Sequence, residues 1–288
     1  MTAAADAREG RHGGAVLALA LLGPIALVNA FAFLLPIANL ARLSFVEALP
    51  GGGLGQGFSW RTWAQTLTDG FYLGLIWNSV ATSLVITALT LLCSYPIALY
   101  LHRSRGTWRT VLLVLVVSPL LTSAVVRTYG WIAILSDNGL VNNTLRAIGA
   151  APTRLIFNQT GVVIGLTEIL MPYMILALSA GFGRLDPRVE EAAQTLGASP
   201  WRSFWRVVVP LTLPGIALGC LLCFVLAVSS FITPKLLGGG RVFLLATEIY
   251  DQAIVTLNWP LAATLSMIVL VVFGAALVLY SRLVRAIP

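Results

Sequence analysis

Long apolar runs separated by short polar breaks dominate this chain. Six of them reach the roughly 20 residues that a helix needs to cross about 30 Å of hydrocarbon: residues 15–38, 76–101, 110–134, 160–181, 207–234 and 260–281. The pattern predicts an all-α integral membrane protein with six transmembrane helices. The first run follows Arg8 and Arg11, as the core of a signal peptide would. It is too long for that role and five more spans follow, so it reads as an uncleaved anchor. Pro96, Pro119, Pro172 and Pro234 fall inside or near the ends of four later spans. Each lacks a backbone donor and frees a carbonyl that lipid cannot satisfy. Four such breaks point to a bundle with a pathway through it.

Composition agrees. The 288 residues are 58% hydrophobic and 10% charged, with a mean hydropathy of +0.90. A soluble domain carries about 25% charged residues to cover its surface, so lipid must cover this one, and a soluble enzyme is excluded. Three cysteines offer no disulfide framework. The net charge of +7 comes from seventeen arginines and one lysine, Lys235. In a membrane protein such a balance reflects loop anchoring rather than nucleic-acid binding.

With the N-terminus placed inside, the inner segments hold eleven basic residues and the longer outer segments seven. Positive charge concentrates on the cytoplasmic side, which predicts both termini in the cytoplasm. Trp77, Trp108, Trp131 and Trp259 lie at or near span ends, where amphipathic rings favour the headgroup region. The outer segments 39–75, 135–159 and 235–259 read as partly ordered loops able to face a partner.

The inner loop between spans four and five carries the most local information. Asp186 is a good N-cap, Pro187 suits the first helical position, and Glu190 and Glu191 lie near the positive end of the helix dipole. Gly197 is a left-handed stop, and Ser199-Pro200 repeats the cap-and-proline signal. The loop is therefore two short helices joined at a glycine, with Ala192 and Ala193 as a smooth face for close docking. A plain connecting helix pair would show the same caps; spacing separates the two readings. Glu191-Ala192-Ala193, three residues, Gly197, nine residues and Val207-Val208-Val209-Pro210 resemble the EAA signature of permeases in binding-protein-dependent ABC importers, EAA-x3-G-x9-I-x-L-P, with valines in place of its isoleucine and leucine.

That resemblance implies a type I ABC importer permease fold in a bacterial inner membrane. It divides the chain into residues 1–74 (cytoplasmic N-terminus, peripheral first span and outer loop), a five-helix core at 75–282 containing the coupling loop 184–206, and a cytoplasmic tail at 283–288. It makes Glu190, Glu191, Ala192, Ala193 and Gly197 the contact with a cytoplasmic ATPase dimer, a rigid helix being able to pass on rigid-body movement. No G-x4-G-K-[ST] phosphate loop occurs in the sequence, so ATP and its Mg belong to that partner, and this chain is a non-catalytic transport subunit with no cofactor or metal of its own. The other implied partners are a second permease subunit and a periplasmic or lipid-anchored solute-binding protein.

Val126-Arg-Thr-Tyr-Gly-Trp131, Asp137-Asn-Gly-Leu-Val-Asn142, Leu170-Met-Pro-Tyr-Met174, Phe231-Ile-Thr-Pro-Lys-Leu-Leu-Gly-Gly-Gly240 and Asn258-Trp-Pro260 are similar to segments of the spermidine/putrescine group. A polyamine is the first cargo this implies. Relatives with the same pattern import ferric iron, aminophosphonates or opine-like solutes. Arg127, Tyr129, Trp131, Glu168, Tyr173 and Phe231 are the residues expected along the pathway.

Glu168 stands out on its own chemistry, because a carboxylate deep in a span costs several kcal/mol unless it is paired or wet. Gly161, Gly165, Glu168 and Pro172 share one helical stripe, and Gly161-x3-Gly165 is a close-packing face, so Glu168 points to protein or cavity. It either meets a cation in transit or bonds a neighbouring helix. Arg127 either guides an anion or snorkels at a helix end. Glu248 and Asp251 attract cations, meet the binding protein, or are merely solvated. Cys220 and Cys223 lack a nearby histidine and make a poor metal site. A solitary carrier or channel would show an internal repeat or a row of membrane charges, and a membrane enzyme would need a catalytic constellation; neither is evident.

Overall fold

The computed structural model describes residues 3–49, 52–183 and 185–286; Arg184, counted among the inner arginines, lies outside them. Five helices are long and apolar enough to span a bilayer, and a sixth span is a bent pair. Helix α1 (Ala3–Leu43) extends past the expected end of the first span and is exposed along Leu22–Leu40. A small hairpin of β1 (Ala48–Leu49) and β2 (Gly53–Leu54) and the short α2 (Arg61–Thr68) follow. Helix α3 (Gly70–Arg103) begins where the Asp69 carboxylate accepts from the Phe71 amide at 2.8 Å.

The third span differs from expectation. In place of one helix over 110–134, α4 (Thr107–Val117) tightens into a 3₁₀ turn at Ser118–Leu121, and α5 (Ala124–Leu135) leaves at 99°. The cause is local. Pro119 opens the tight turn, Thr122 adopts an extended conformation, and Ser123 recaps the chain by accepting from the Val125 amide at 3.3 Å. Uniform apolarity across the run hides this change of direction. Helix α6 (Leu140–Ala147) then packs on α5. The loop beyond it is pinned by Asn142, whose amide donates to Ser136 O and Thr153 O and accepts from Thr153 N.

Helix α7 (Gln159–Phe182) is capped by Asn158 and forms the centre, packed against α3 and α10. Then come α8 (Pro187–Thr195) and α9 (Pro200–Ser203), a π-helical turn at Phe204–Val208, and α10 (Val209–Ser229). The fifth span also ends earlier than expected. Ser230 is extended and the chain restarts as α11 (Ile232–Leu237), because Pro234 cannot donate to the Ser230 carbonyl and is tolerated only in a first turn. Helices α12 (Leu245–Tyr250) and α13 (Trp259–Ala286) complete the chain.

Two devices let these helices approach. Facing α7 and α10, α3 buries a hydroxyl stripe that includes Ser83, Thr87, Thr90 and Ser94. Thr87 and Thr90 bond carbonyls one turn back at 2.7 Å, so small polar side chains pack without unpaired groups. At the C-terminal end of α7, the helix crosses α10 through Gly181 and Gly215, where a Cβ on Gly181 would lie 2.6 Å from the Gly215 Cα.

Candidate functional site

Two places in this frame hold chemistry that the packing does not require: the inner loop helices, and a carboxylate within the bundle.

In the inner loop every expected cap forms. Asp186 accepts from the Arg188 amide at 2.9 Å, Ser199 accepts from the Arg202 amide at 3.3 Å, and Gly197 has φ +88°. Glu191 and Ala192 are exposed and Ala193 is half-buried. Glu190 has another task. Its carboxylate turns back and takes two hydrogen bonds from the Arg103 guanidinium, at 2.7 and 3.0 Å, bracing α8 on the inner end of α3. It is therefore a strut and not part of the outward face. The connection continues inward through Leu185, which is buried, and His102, which lies against Phe182. Tyr95 of α3 reaches Thr212 of α10 at 3.1 Å and packs edge-on against Phe182 and Phe204. Helix α8 is thus tied to α3 through Arg103, and α3 in turn to α7 and α10 through Tyr95.

The outward face also holds residues that the sequence reading passed over. Val189, Ala192 and Leu196 lie at spacings of three and four, and Leu196 is 89% exposed. This apolar stripe is left open on a short polar helix, and its spacing was visible in the sequence. Because the Arg103–Glu190 pair is partly solvated, it contributes at most about 1 kcal/mol. Glu190→Gln is accordingly expected to raise amide exchange across α8 by roughly fivefold, with α7 unchanged; hydrogen-exchange mass spectrometry checks this.

Within the bundle, the Trp131 indole N–H of α5 donates to Glu168 Oε2 of α7 at 3.0 Å. Glu168 is half-buried, while Gly161, Gly165 and Pro172 on its stripe are buried. Gly165 makes room for the approach: a Cβ there would lie 2.9 Å from Leu237 and meet Thr233 and Trp131. Thr128 and Thr233 share a hydrogen bond at 2.9 Å and tie α5 to α11 beside it. One carboxylate oxygen is thus held by an indole, and no basic side chain lies within 4 Å among the described residues.

The remaining pathway candidates do not all converge there. Tyr173 is half-buried against the core, and Tyr129 is exposed and makes no hydrogen bond. Arg127 buries Nε and Nη1 without partners, which simple snorkelling does not explain. Phe231 stacks on Tyr250 with ring centroids 5.0 Å apart, in a separate cluster where Lys235 pairs with Asp251 at 2.5 and 2.6 Å. Asp251 is therefore neutralised. Glu248 is buried and accepts from Gln252 at 2.7 Å, so it is not a solvated loop carboxylate. The single lysine beside two aspartate- or glutamate-bearing turns was the only sequence hint of this cluster.

Comparisons with known proteins bear on both places. Residues 94–287 match the family described as "Binding-protein-dependent transport system inner membrane component". The chain is 36% identical over 218 residues to the spermidine/putrescine transport system permease protein PotB of Haemophilus influenzae, covering 75% of this chain and 76% of that protein. It is 35% identical over 221 residues to PotB of Escherichia coli, covering 76% and 80%. Its fold resembles a chain in the crystal structure of a bacterial alginate ABC transporter in complex with alginate pentasaccharide-bound periplasmic protein, with a TM-score of 0.71 and 19% identity over 93% of this chain and 94% of that one. An inner-membrane bundle with this inner loop, matched by the family over two thirds of its length, belongs to the binding-protein-dependent transport system inner membrane components.

Proposed function

We propose that this chain is one of two permease subunits in an ATP-driven importer and that it carries a polyamine-like organic cation inward by alternating access. Both termini lie in the cytoplasm, where an ATPase dimer holds ATP and Mg and seats α8. A solute-binding protein delivers cargo to the outer loops, and the second permease is a relative of this chain. The observation that carries the reading is α8 itself. It is capped by Asp186, open on its Val189–Ala192–Leu196 face, and braced by Arg103 to the end of α3. A helix that only connected two spans would need neither the open apolar face nor the strut. Glu191, Ala192, Ala193 and Gly197 form and shape the contact, and Glu190 holds its angle.

The cargo assignment rests on the two PotB relatives and on Glu168. An intramembrane carboxyl bonded only by a neutral indole among the described residues leaves acceptor capacity for a cation. Trp131 adds an aromatic face of the kind that attracts ammonium groups. Arg127, Tyr129, Tyr173 and Phe231 stay candidates from the resemblance alone, since they do not converge on Glu168.

Glu168→Gln keeps size and hydrogen bonding but removes the charge. It is expected to lower ATP-dependent spermidine uptake by about tenfold, roughly the effect of one partly desolvated ion pair, with assembly unchanged. Uptake of labelled spermidine into proteoliposomes holding the whole importer measures this. Unchanged kinetics in the well-assembled variant would make Glu168 a structural carboxylate and remove the chemical support for a cation.

A further inference from the structure

The segment that leads from α8 into the fifth span has a feature that the proposed contact at Glu191, Ala192, Ala193 and Gly197 does not use. Along Pro200–Val208 the burial alternates sharply. Ser203 and Val208 are buried and Phe204 packs inward against Tyr95. Trp201, Arg202, Trp205 and Arg206 are all exposed, the two tryptophans by 72% and 53%. These four occupy positions i, i+1, i+4 and i+5, so they form one continuous face with an indole edge and a guanidinium edge. The indoles meet edge-on at 5.7 Å, and Trp201 also stacks on Phe204 at 6.2 Å, which fixes the pair to the core. Neither guanidinium has a carboxylate within 4 Å among the described residues.

Helix length sets the depth of this face. Pro200–Ser229 runs as a 30-residue span, about 45 Å at 1.5 Å per residue, whereas the hydrocarbon is about 30 Å thick. The excess leaves room for the first turns of the span at headgroup level, and the exposed indoles and arginines there favour that end, since indoles partition to the interface and unpaired arginines meet lipid phosphate. We infer that Trp201, Arg202, Trp205 and Arg206 form a binding site for an anionic phospholipid of the cytoplasmic leaflet, with the guanidiniums on the headgroup phosphate and the indoles against the glycerol and upper acyl region.

The site lies where α8 joins the span, so a lipid held there fixes the depth of the joint about which α8 would turn. Contact with lipid does not depend on the importer reading; only that consequence does.

The test uses the full chain in nanodiscs, first alone and then with the ATPase. Tryptophan fluorescence is read with brominated phosphatidylglycerol or brominated phosphatidylcholine diluted into unlabelled lipid. The share of quenching due to this face is isolated by subtracting the Trp201→Phe/Trp205→Phe variant. About a thirtyfold preference for the anionic lipid is expected, from two arginines near the surface. Arg202→Gln/Arg206→Gln should abolish the preference, and Arg202→Lys/Arg206→Lys should keep most of it. Equal quenching by the two lipids, or an anionic preference that survives the glutamine pair, would overturn the proposal. So would loss of quenching when the ATPase binds, since the face would then belong to that protein. A preserved preference in a chain that binds no ATPase would sink the importer reading and leave this one standing.

Discussion

Replacing Ala192 with tryptophan is expected to remove most ATP-driven uptake while the chain still folds and assembles. The Ala192 side chain is exposed on α8 and takes no part in its caps or strut, so the larger ring points away from the subunit. At a closely packed interface, overfilling by such a ring costs about 2 kcal/mol, or roughly a thirtyfold loss of productive coupling. Glu191→Arg should act in the same direction, through charge at the same face. Uptake per assembled complex, read beside ATPase activity, checks both variants: hydrolysis continues and transport does not follow. A solitary carrier would lose little from either change, because neither side chain touches the bundle.

Gly181→Leu is expected to do the greatest damage to the fold. A Cβ at Gly181 would lie 2.6 Å from the Gly215 Cα, and one at Gly215 would lie 2.7 Å from the Gly181 Cα. Both contacts are with backbone, so no rotamer change relieves them, and α7 and α10 would have to separate at the crossing that holds the centre. The destabilisation should be about 3 kcal/mol or more, seen as loss of monodisperse protein and of the thermal transition in detergent. Gly219→Ala supplies the contrast. Its Cβ would meet the Met174 sulfur at 2.6 Å, the end of a flexible side chain that can move aside. Its cost should stay within about 1 kcal/mol.

The parts of this protein that are set locally were legible in the sequence. Span positions follow from apolar length, and the loop helices follow from Asp186, Gly197 and Ser199, whose caps act within a few residues of themselves. The orientation of Glu168 towards protein was also legible, because Gly161, Gly165 and Pro172 mark the buried stripe of its helix. What the sequence withheld depends on pairs distant along the chain. Nothing near Gly181 marks Gly215 as its neighbour, Glu190 does not announce Arg103, and Trp131, expected at a span end and along the pathway, does not announce the bond to Glu168 that the 99° turn brings about. The bend itself was missed because hydropathy measures transfer to lipid and is blind to direction. Pro119 flanked by Ser118, Thr122 and Ser123 was the available signal.

The central claim is that this subunit moves cargo only when a separate ATPase acts on α8. Mild-detergent purification of the tagged chain from its native membrane, with mass spectrometry of what accompanies it, tests that claim most directly. The account predicts recovery of an ATPase with a phosphate-binding loop and of a second permease of similar size, both retained in the Ala192→Trp preparation but without coupled transport. Recovery of this chain alone, folded and active in liposomes without ATP, would contradict it.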